Sequence, residues 1–333
     1  MRLEHDVFRT AIARLGERRD DVVVLSGDLG DSCELDLFRQ RFPKRYFDMG
    51  LSEQNMVSWA AGLALEGLLP IVCTFGPFLY RRALDQVEMS VASMGLPVVL
   101  VGFVPGITTP RGISHQATND VAVMRSVPGM AIYDVGDATE VAGALDAACE
   151  RGGPAYIRML RGNVPTFLPS DHPYEDGRMV ALGPDGSPEP EPCAEPDIVL
   201  LSSSVCTAEA LRATRAMTSR GVRLAHVHVP AMRPIDADAL SAFAGSARMG
   251  VITYENHLVE GGLGTIVAEA MAERGIARPL VRLGIPVRYL TSGSPGYLMR
   301  TFGLDAMALV SAVEGMLGRS LDMTEDMLEP GIF

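Results

Sequence analysis

The stretch "FDMGLSEQNMVSWAAGLALEG", residues 47–67, runs from a short strand-like piece into an apolar helix and opens that helix with Ser52, Glu53, Gln54 and Asn55. Ser52 is a natural N-cap, and a carboxylate in the first helical turn is favoured by the helix dipole. Apolar residues also lie on both sides of Glu53, so its carboxylate is placed to point into a buried crevice, where it needs a partner. Three more polar or aromatic features close short apolar runs: Asp28 after "VVVLSG", Phe75 after "PIVCT", and the loop from Phe103 to His115 after "PVVLVG". Open α/β sheets build their sites beyond the carboxyl ends of the strands, so these positions can converge on one crevice.

Other chemistries are excluded by residue type and spacing. Lys44 is the only lysine, and it lies in the polar segment "RFPKRY", so Schiff-base and pyridoxal phosphate chemistry lack their amine. The five cysteines, Cys33, Cys73, Cys149, Cys193 and Cys206, are widely spaced without a C-x-x-C, which argues against zinc and for reduced thiols in a cytoplasm. "SGDLGDS" looks like a phosphate loop, but Leu29 stands where a glycine is required. "ENHLVEGGLG" lacks the spacing of a dinucleotide or Walker fingerprint, and its glycines suit a helix entrance. A net charge of -12 disfavours nucleic acid and anionic membranes as partners. The chain contains no apolar run near the roughly 20 residues that span a bilayer. Its start, "MRLEHDVFRT", has neither a basic region nor an apolar core for export.

The elements that must hold these residues alternate. From residue 1 to about 165, helical "VFRTAIARL", "FLYRRALDQVEMSVASM" and "ATEVAGALDAACERGG" are interleaved with the apolar runs "VVVLSGD", "PIVCTF", "PVVLVGF", "MAIYDV" and "AYIRML". The expectation is a mostly parallel sheet covered by helices on both faces. Residues 166–195 are rich in Pro, Gly and acids, which reads as a linker with room for one small strand. Alternation resumes over 196–333 with "IVLLSSS", "RLAHVHV", "MGVITYE" and "LVRLGI", giving a second, smaller α/β domain that ends in the polar tail "SLDMTEDMLEPGIF". The expected fold class is therefore α/β with two doubly wound domains.

Taken together, "GLSEQNMVSWAAGLALEG", "CTFGPFLYRRALDQV", "GISHQATNDVAVMRSVPGM" and "GPAYIRMLRGN" resemble the pyrimidine-binding domain of the transketolase family. "YENHLVEGGLG", "LGIP" and "GLDA" resemble that family's C-terminal domain. The domain carrying the family's diphosphate- and metal-binding G-D-G…N motif has no counterpart in these residues. The resemblance therefore implies the second subunit of a split transketolase that uses thiamine diphosphate and Mg²⁺, with diphosphate and metal held mainly by a separate N-terminal subunit. It also implies a two-plus-two heterotetramer, because the family places each cofactor between two such domains and pairs the units by a two-fold axis.

The resemblance assigns roles residue by residue. Glu53 matches the glutamate that hydrogen-bonds the cofactor's aminopyrimidine N1′ and favours its imino form, while Phe75 and Phe78 match the rings that flank the pyrimidine. His115 matches a histidine on the substrate side of the thiazolium, Asp28 and Ser32 match positions lining the cofactor or substrate channel, and Arg161 matches an arginine that grips substrate phosphate. Two departures bear on substrate choice. Pro110 and Arg111, in "TTPRGISHQ", replace two acids of the usual loop, and Phe103 stands where a phosphate-binding histidine is usual. These imply transfer of a two-carbon ketol unit to a specialised, biosynthetic acceptor that is flat or apolar and anionic. Rival readings are the β subunit of a 2-oxoacid dehydrogenase, whose loop carries a histidine pair where this chain has "GISHQA", and a non-catalytic scaffold. Deoxyxylulose-phosphate synthase is a third relative, with all three domains on one chain.

Overall fold

The computed structural model describes residues 2–189 and 193–333; residues 190–192, within the expected linker, lie outside the described residues. The first half builds a seven-stranded sheet in the order Ala231–Arg233, Ala131–Asp134, Ala155–Met159, Val99–Phe103, Leu69–Phe75, Val22–Ser26, Tyr46–Asp48. Six of these strands pair in parallel. The seventh, Ala231–Arg233, comes from the second half of the chain and adds antiparallel to Ala131–Asp134. That strand is too short and too polar at its end to announce itself, and it ties the two halves through backbone hydrogen bonds.

Alternation along the strands sorts the side chains. Val22 and Val24 face a core built with Phe8, Ile12 and Leu15 of the Val7–Arg18 helix and with Val141 and Leu145 of the Glu140–Glu150 helix. Val23 and Leu25 face the opposite core, with Met56, Val57 and Ala60 of the Glu53–Leu65 helix. Burial on both faces explains why these strands read as unbroken apolar runs. From Phe78 to Ala92 the chain is helical apart from a bend at Ala83, and it widens into π turns at Phe78–Arg82 and Val87–Ala92. Such widened turns recur at functional sites.

The second half carries a five-stranded sheet in the order Leu280–Ile285, Gly250–Leu258, Ile198–Ser202, Leu224–His228, Val180–Leu182. Val180–Leu182, the one small strand expected between the halves, pairs antiparallel at its edge. The polar tail is docked: Arg212 donates from Nε to the Glu329 carbonyl at 2.6 Å, and Leu328 is buried.

Between the halves lies a sealed polar layer. Arg158 is fully buried and donates to Asp120 and Asp134, each at 2.8 Å, and at 2.9 Å to the Asn256 carbonyl. Ser203 closes on the other oxygen of Asp134 at 2.7 Å. Beside it runs a buried chain of hydrogen bonds, His226 to Ser202 (2.8 Å), Ser202 to Thr207 (2.9 Å), Thr207 to His228 (2.7 Å) and His228 to Glu140 (3.0 Å).

Candidate active site

Glu53 is the first residue of the Glu53–Leu65 helix and also the first member of its buried stripe, followed by Met56, Val57, Ala60, Ala61 and Ala64. A carboxylate at the head of an apolar stripe is driven inward with it, and Glu53 is 1 % exposed. Its partner is Arg82, whose Nη1 donates to both carboxylate oxygens at 2.7 and 2.8 Å. Ser52 does not cap: its hydroxyl donates back to the Met49 carbonyl at 2.5 Å.

Arg82 lies one turn beyond Phe78, and its guanidinium rests on the Phe78 ring, 4.4 Å from the centroid. Phe75 ends its strand beside Phe78, with the rings nearly parallel at 6.0 Å. The His115 imidazole meets both rings edge-on, at 5.9 Å from Phe75 and 5.5 Å from Phe78. Burial lowers the His115 pKa, and the charges of Arg111 and Arg82 push it the same way, so the ring is held neutral. Ser114 hydrogen-bonds its Nδ1 at 2.9 Å. Glu53, Phe75, Phe78 and His115 are therefore gathered in one cluster, with the Arg82 head between the carboxylate and the Phe78 ring.

The remaining positions are more scattered. Asp28 is exposed, in a left-handed turn at φ 59° whose neighbour Gly27 lies against Glu53; a Cβ there would sit 3.5 Å from the Glu53 Cγ. Ser32 is half-buried further along that turn, before the Asp36–Arg41 helix. Arg111 is exposed on the loop rim, and Arg161 is exposed beyond the Ala155–Met159 strand. Phe103 requires a correction. It is completely buried and packs edge-to-face on Phe8 at 5.2 Å, so it belongs to the core and presents no wall to a channel. The strand pattern alone accounts for this, because Phe103 is in register with Phe75 and Met159 inside the sheet.

Two arginines escape the sequence pattern. Arg82 completes the site, and Arg81 holds the His115 loop by donating to the Ile113 and Gln116 carbonyls at 2.6 and 3.1 Å. The signal available is their position on the turn after Phe78, facing a carboxylate that needs a cation.

The transketolase pyrimidine-binding domain model matches residues 5–166, and the transketolase C-terminal domain model matches residues 191–309. The transketolase family protein y4mN of Sinorhizobium fredii is 37% identical over 93% of this chain and 88% of its own length. The chain belongs to the transketolase family. The 6-deoxy-6-sulfo-D-fructose transketolase subunit SqwH of Clostridium is 33% identical, over 94% of each chain. A solved inactive β4 tetramer of a split-gene transketolase superposes with a TM-score of 0.84 at 32% identity, covering 94% of this chain and 97% of that one. By contrast, the chain spans 47% of 1-deoxy-D-xylulose-5-phosphate synthase 1 of Geobacter sulfurreducens, which is 30% identical.

The family implies thiamine diphosphate, and the residues present suit an aminopyrimidine: as Arg82 does here, a flat hydrogen-bond donor can lie on Phe78 and bond the buried Glu53. The Arg82 side chain is half exposed, at 47 %, while its Glu53 partner is sealed from water.

Proposed function

We propose that this chain is the pyrimidine-binding subunit of a thiamine diphosphate-dependent transketolase, working with a separate diphosphate-binding subunit in a two-plus-two heterotetramer. Residues 1–165 are assigned to the pyrimidine-binding domain, 166–195 to the linker and 196–333 to the C-terminal domain. The observation that carries this function is the buried Glu53 carboxylate beside the Phe75, Phe78 and His115 rings. Glu53 holds a proton at the aminopyrimidine edge, and the charge-assisted hydrogen bond gains strength from its buried setting. Phe75 and Phe78 orient the ring, a contact worth about 0.5–1.5 kcal/mol beyond burial. His115, neutral at pH 7, accepts and returns protons of substrate hydroxyls. The bound cofactor supplies the electron sink that lets a carbon–carbon bond of the donor break. Mg²⁺ and the diphosphate belong to the partner subunit.

Apolar side chains left in water support that partner. Leu51, Trp59 and Leu65 are exposed at 75, 50 and 60 %, on and just before the helix that Glu53 opens, and so are Met89 on the helical segment after Phe78 and Met94 on the turn that follows it. A surface of this kind bordering a site suits a permanent subunit contact. The substrate class is narrower. Arg81, Arg82 and Arg111 surround His115 with positive charge, which suits an anionic, specialised acceptor in a biosynthetic setting; SqwH, by its name, handles a sulfonated sugar. Asp28, Ser32 and Arg161 are assigned to the outer channel, and the cytoplasm is the assigned compartment. Among the described residues no helix is long and apolar enough to cross a membrane. The test is ketol transfer assayed with this chain, with its partner and with both. Activity only in the mixture is expected, and full activity from this chain alone would overturn the proposed division of labour.

A further inference from the structure

The loop that carries Arg111 and His115 leaves the first sheet at Phe103 and is anchored at its base by the second domain. Asn256 sits completely buried on the Gly250–Leu258 strand. Its side-chain Oδ1 accepts from the Ile107 amide at 3.0 Å, and its Nδ2 donates to the Pro105 carbonyl at 3.0 Å. One amide thus reads both backbone groups that bracket Gly106. Gly106 is at φ 56°, and a Cβ there would lie 2.0 Å from the Asn256 Oδ1, so the close approach admits only glycine. The Asn256 backbone is itself fixed, because Arg158 donates to its carbonyl at 2.9 Å.

From the first domain the Gly106 amide donates to the Ala117 carbonyl at 2.8 Å and Arg81 grips Ile113 and Gln116, while the second domain's other contacts lie further along. Gln116 donates to the Thr291 carbonyl at 3.2 Å, and the Leu258 amide donates to the Thr118 carbonyl at 2.8 Å. Between them, Arg111 to His115 carry no contact of comparable burial. Asn256 is therefore where the second domain sets the direction in which the loop departs.

We propose that Asn256 is a positioning residue for His115: through Pro105 and Ile107 it directs the loop so that the imidazole stands over Phe75 and Phe78. The inference rests on the reading of His115 as the substrate-side group. It also gives the C-terminal domain a defined task at a site to which it contributes no ring and no carboxylate. Only a primary amide fits. It must donate at one end and accept at the other, and a carboxylate of the same shape would set an oxygen against the Pro105 carbonyl.

Hydrogen exchange on this chain alone tests the anchor without cofactor or partner. In Asn256→Asp, residues 106–116 are expected to exchange at least about tenfold faster, the scale of one lost hydrogen bond, while Val22–Ser26 and Leu69–Phe75 keep their parental protection. Gly106→Ala attacks the same contact from the first domain and should open the same segment. In both variants the His115 imidazole, followed by NMR, should titrate closer to an ordinary histidine as it leaves the burial and the Arg111 and Arg82 charges that hold it down. Parental exchange and titration in both variants would overturn the proposal, and so would a uniform loss of protection across the chain, which marks a merely structural residue. In the assembled enzyme, kcat should fall at least about tenfold with little change in the cofactor concentration required. If the parent pair proves inactive on every donor, the functional reading fails while the exchange result still decides the anchor.

Discussion

The molecule holds two concentrations of polar and titratable side chains, and they are built in opposite ways. Around Glu53, one buried carboxylate faces a half-exposed arginine and three rings at an opening. Between the domains, Arg158, Asp120, Asp134, Ser203, His226, His228 and Glu140 form a denser cluster with no exposed member. By residue type the interdomain cluster resembles a catalytic centre more than the opening does, with a serine, histidines and acids in hydrogen-bond sequence. Access separates them. In the sealed layer most charges are satisfied by other side chains, so its work is to join domains. Around Glu53 the carboxylate is sealed while its cation is half exposed.

The largest expected effect falls on the sealed layer. Arg158→Leu removes the cation from two buried carboxylates, and leaving such charges uncompensated costs about 3–5 kcal/mol. Burial already raises the Asp134 pKa, so the variant should take up a proton there and lose stability most at high pH. Urea unfolding at several pH values checks this; a loss below about 1 kcal/mol at pH 8 would show that the layer is not a tightly coupled charge network.

The next effect falls on the opening and should separate activity from stability. Glu53→Gln keeps the shape and removes the charge, so proton exchange at the reactive carbon of bound cofactor in the assembled enzyme should fall by at least about 100-fold. Stability should change little, because the freed Arg82 head reaches water. Parental exchange rates would refute the assignment of Glu53.

These two regions are also legible in the sequence to different degrees. The α/β alternation can be read because its strands are buried on both faces, and Glu53, Phe75, Phe78 and His115 can be read because short motifs carry them. Arg82 and Arg158 cannot. Each is one arginine among many, and what distinguishes them is a partner distant in sequence: Glu53 for Arg82, and Asp120, Asp134 and Asn256 for Arg158. Phe103 misleads for the complementary reason: a motif suggests a place on the channel, while the apolar ring packs into the core against Phe8.

A smaller effect sharpens the contrast from the sealed side through pH. Burial pushes the His226 pKa down to about 3, so the fold keeps this imidazole neutral while the unfolded chain titrates near 6.5. As pH falls below about 6.5 the unfolded chain takes up a proton that the fold refuses, and His226 costs up to about 1.4 kcal/mol per pH unit. His228 acts oppositely. Glu140 raises its pKa, so its contribution is fully present below about 6.5 and lost as pH rises through its folded value. Comparing His226→Gln with the parent isolates the first effect: the parent's stability advantage should shrink as pH falls from 7 to about 5. An advantage that stays constant would mean that His226 is not sealed from water.

The smallest effect belongs to the rim of the opening. Arg111 is exposed, yet its charge reaches His115 and helps to hold that imidazole neutral, so the guanidinium acts on the site without being buried in it. An exposed charge acting across solvent is worth about 0.2–1 kcal/mol and is screened by salt. Arg111→Asp should therefore lower kcat/KM for an anionic acceptor by only about 1.4- to fivefold, with the difference shrinking as salt is added. The same substitution should raise the His115 titration midpoint, since a repelling charge becomes an attracting one. The unmodified pair should turn over xylulose 5-phosphate with ribose 5-phosphate poorly; efficient turnover of that pair would remove the case for a specialised acceptor. If Arg111→Asp shifts neither kcat/KM nor the His115 titration, the guanidinium belongs to the solvent, and the positive character of the opening rests on Arg81 and Arg82 alone.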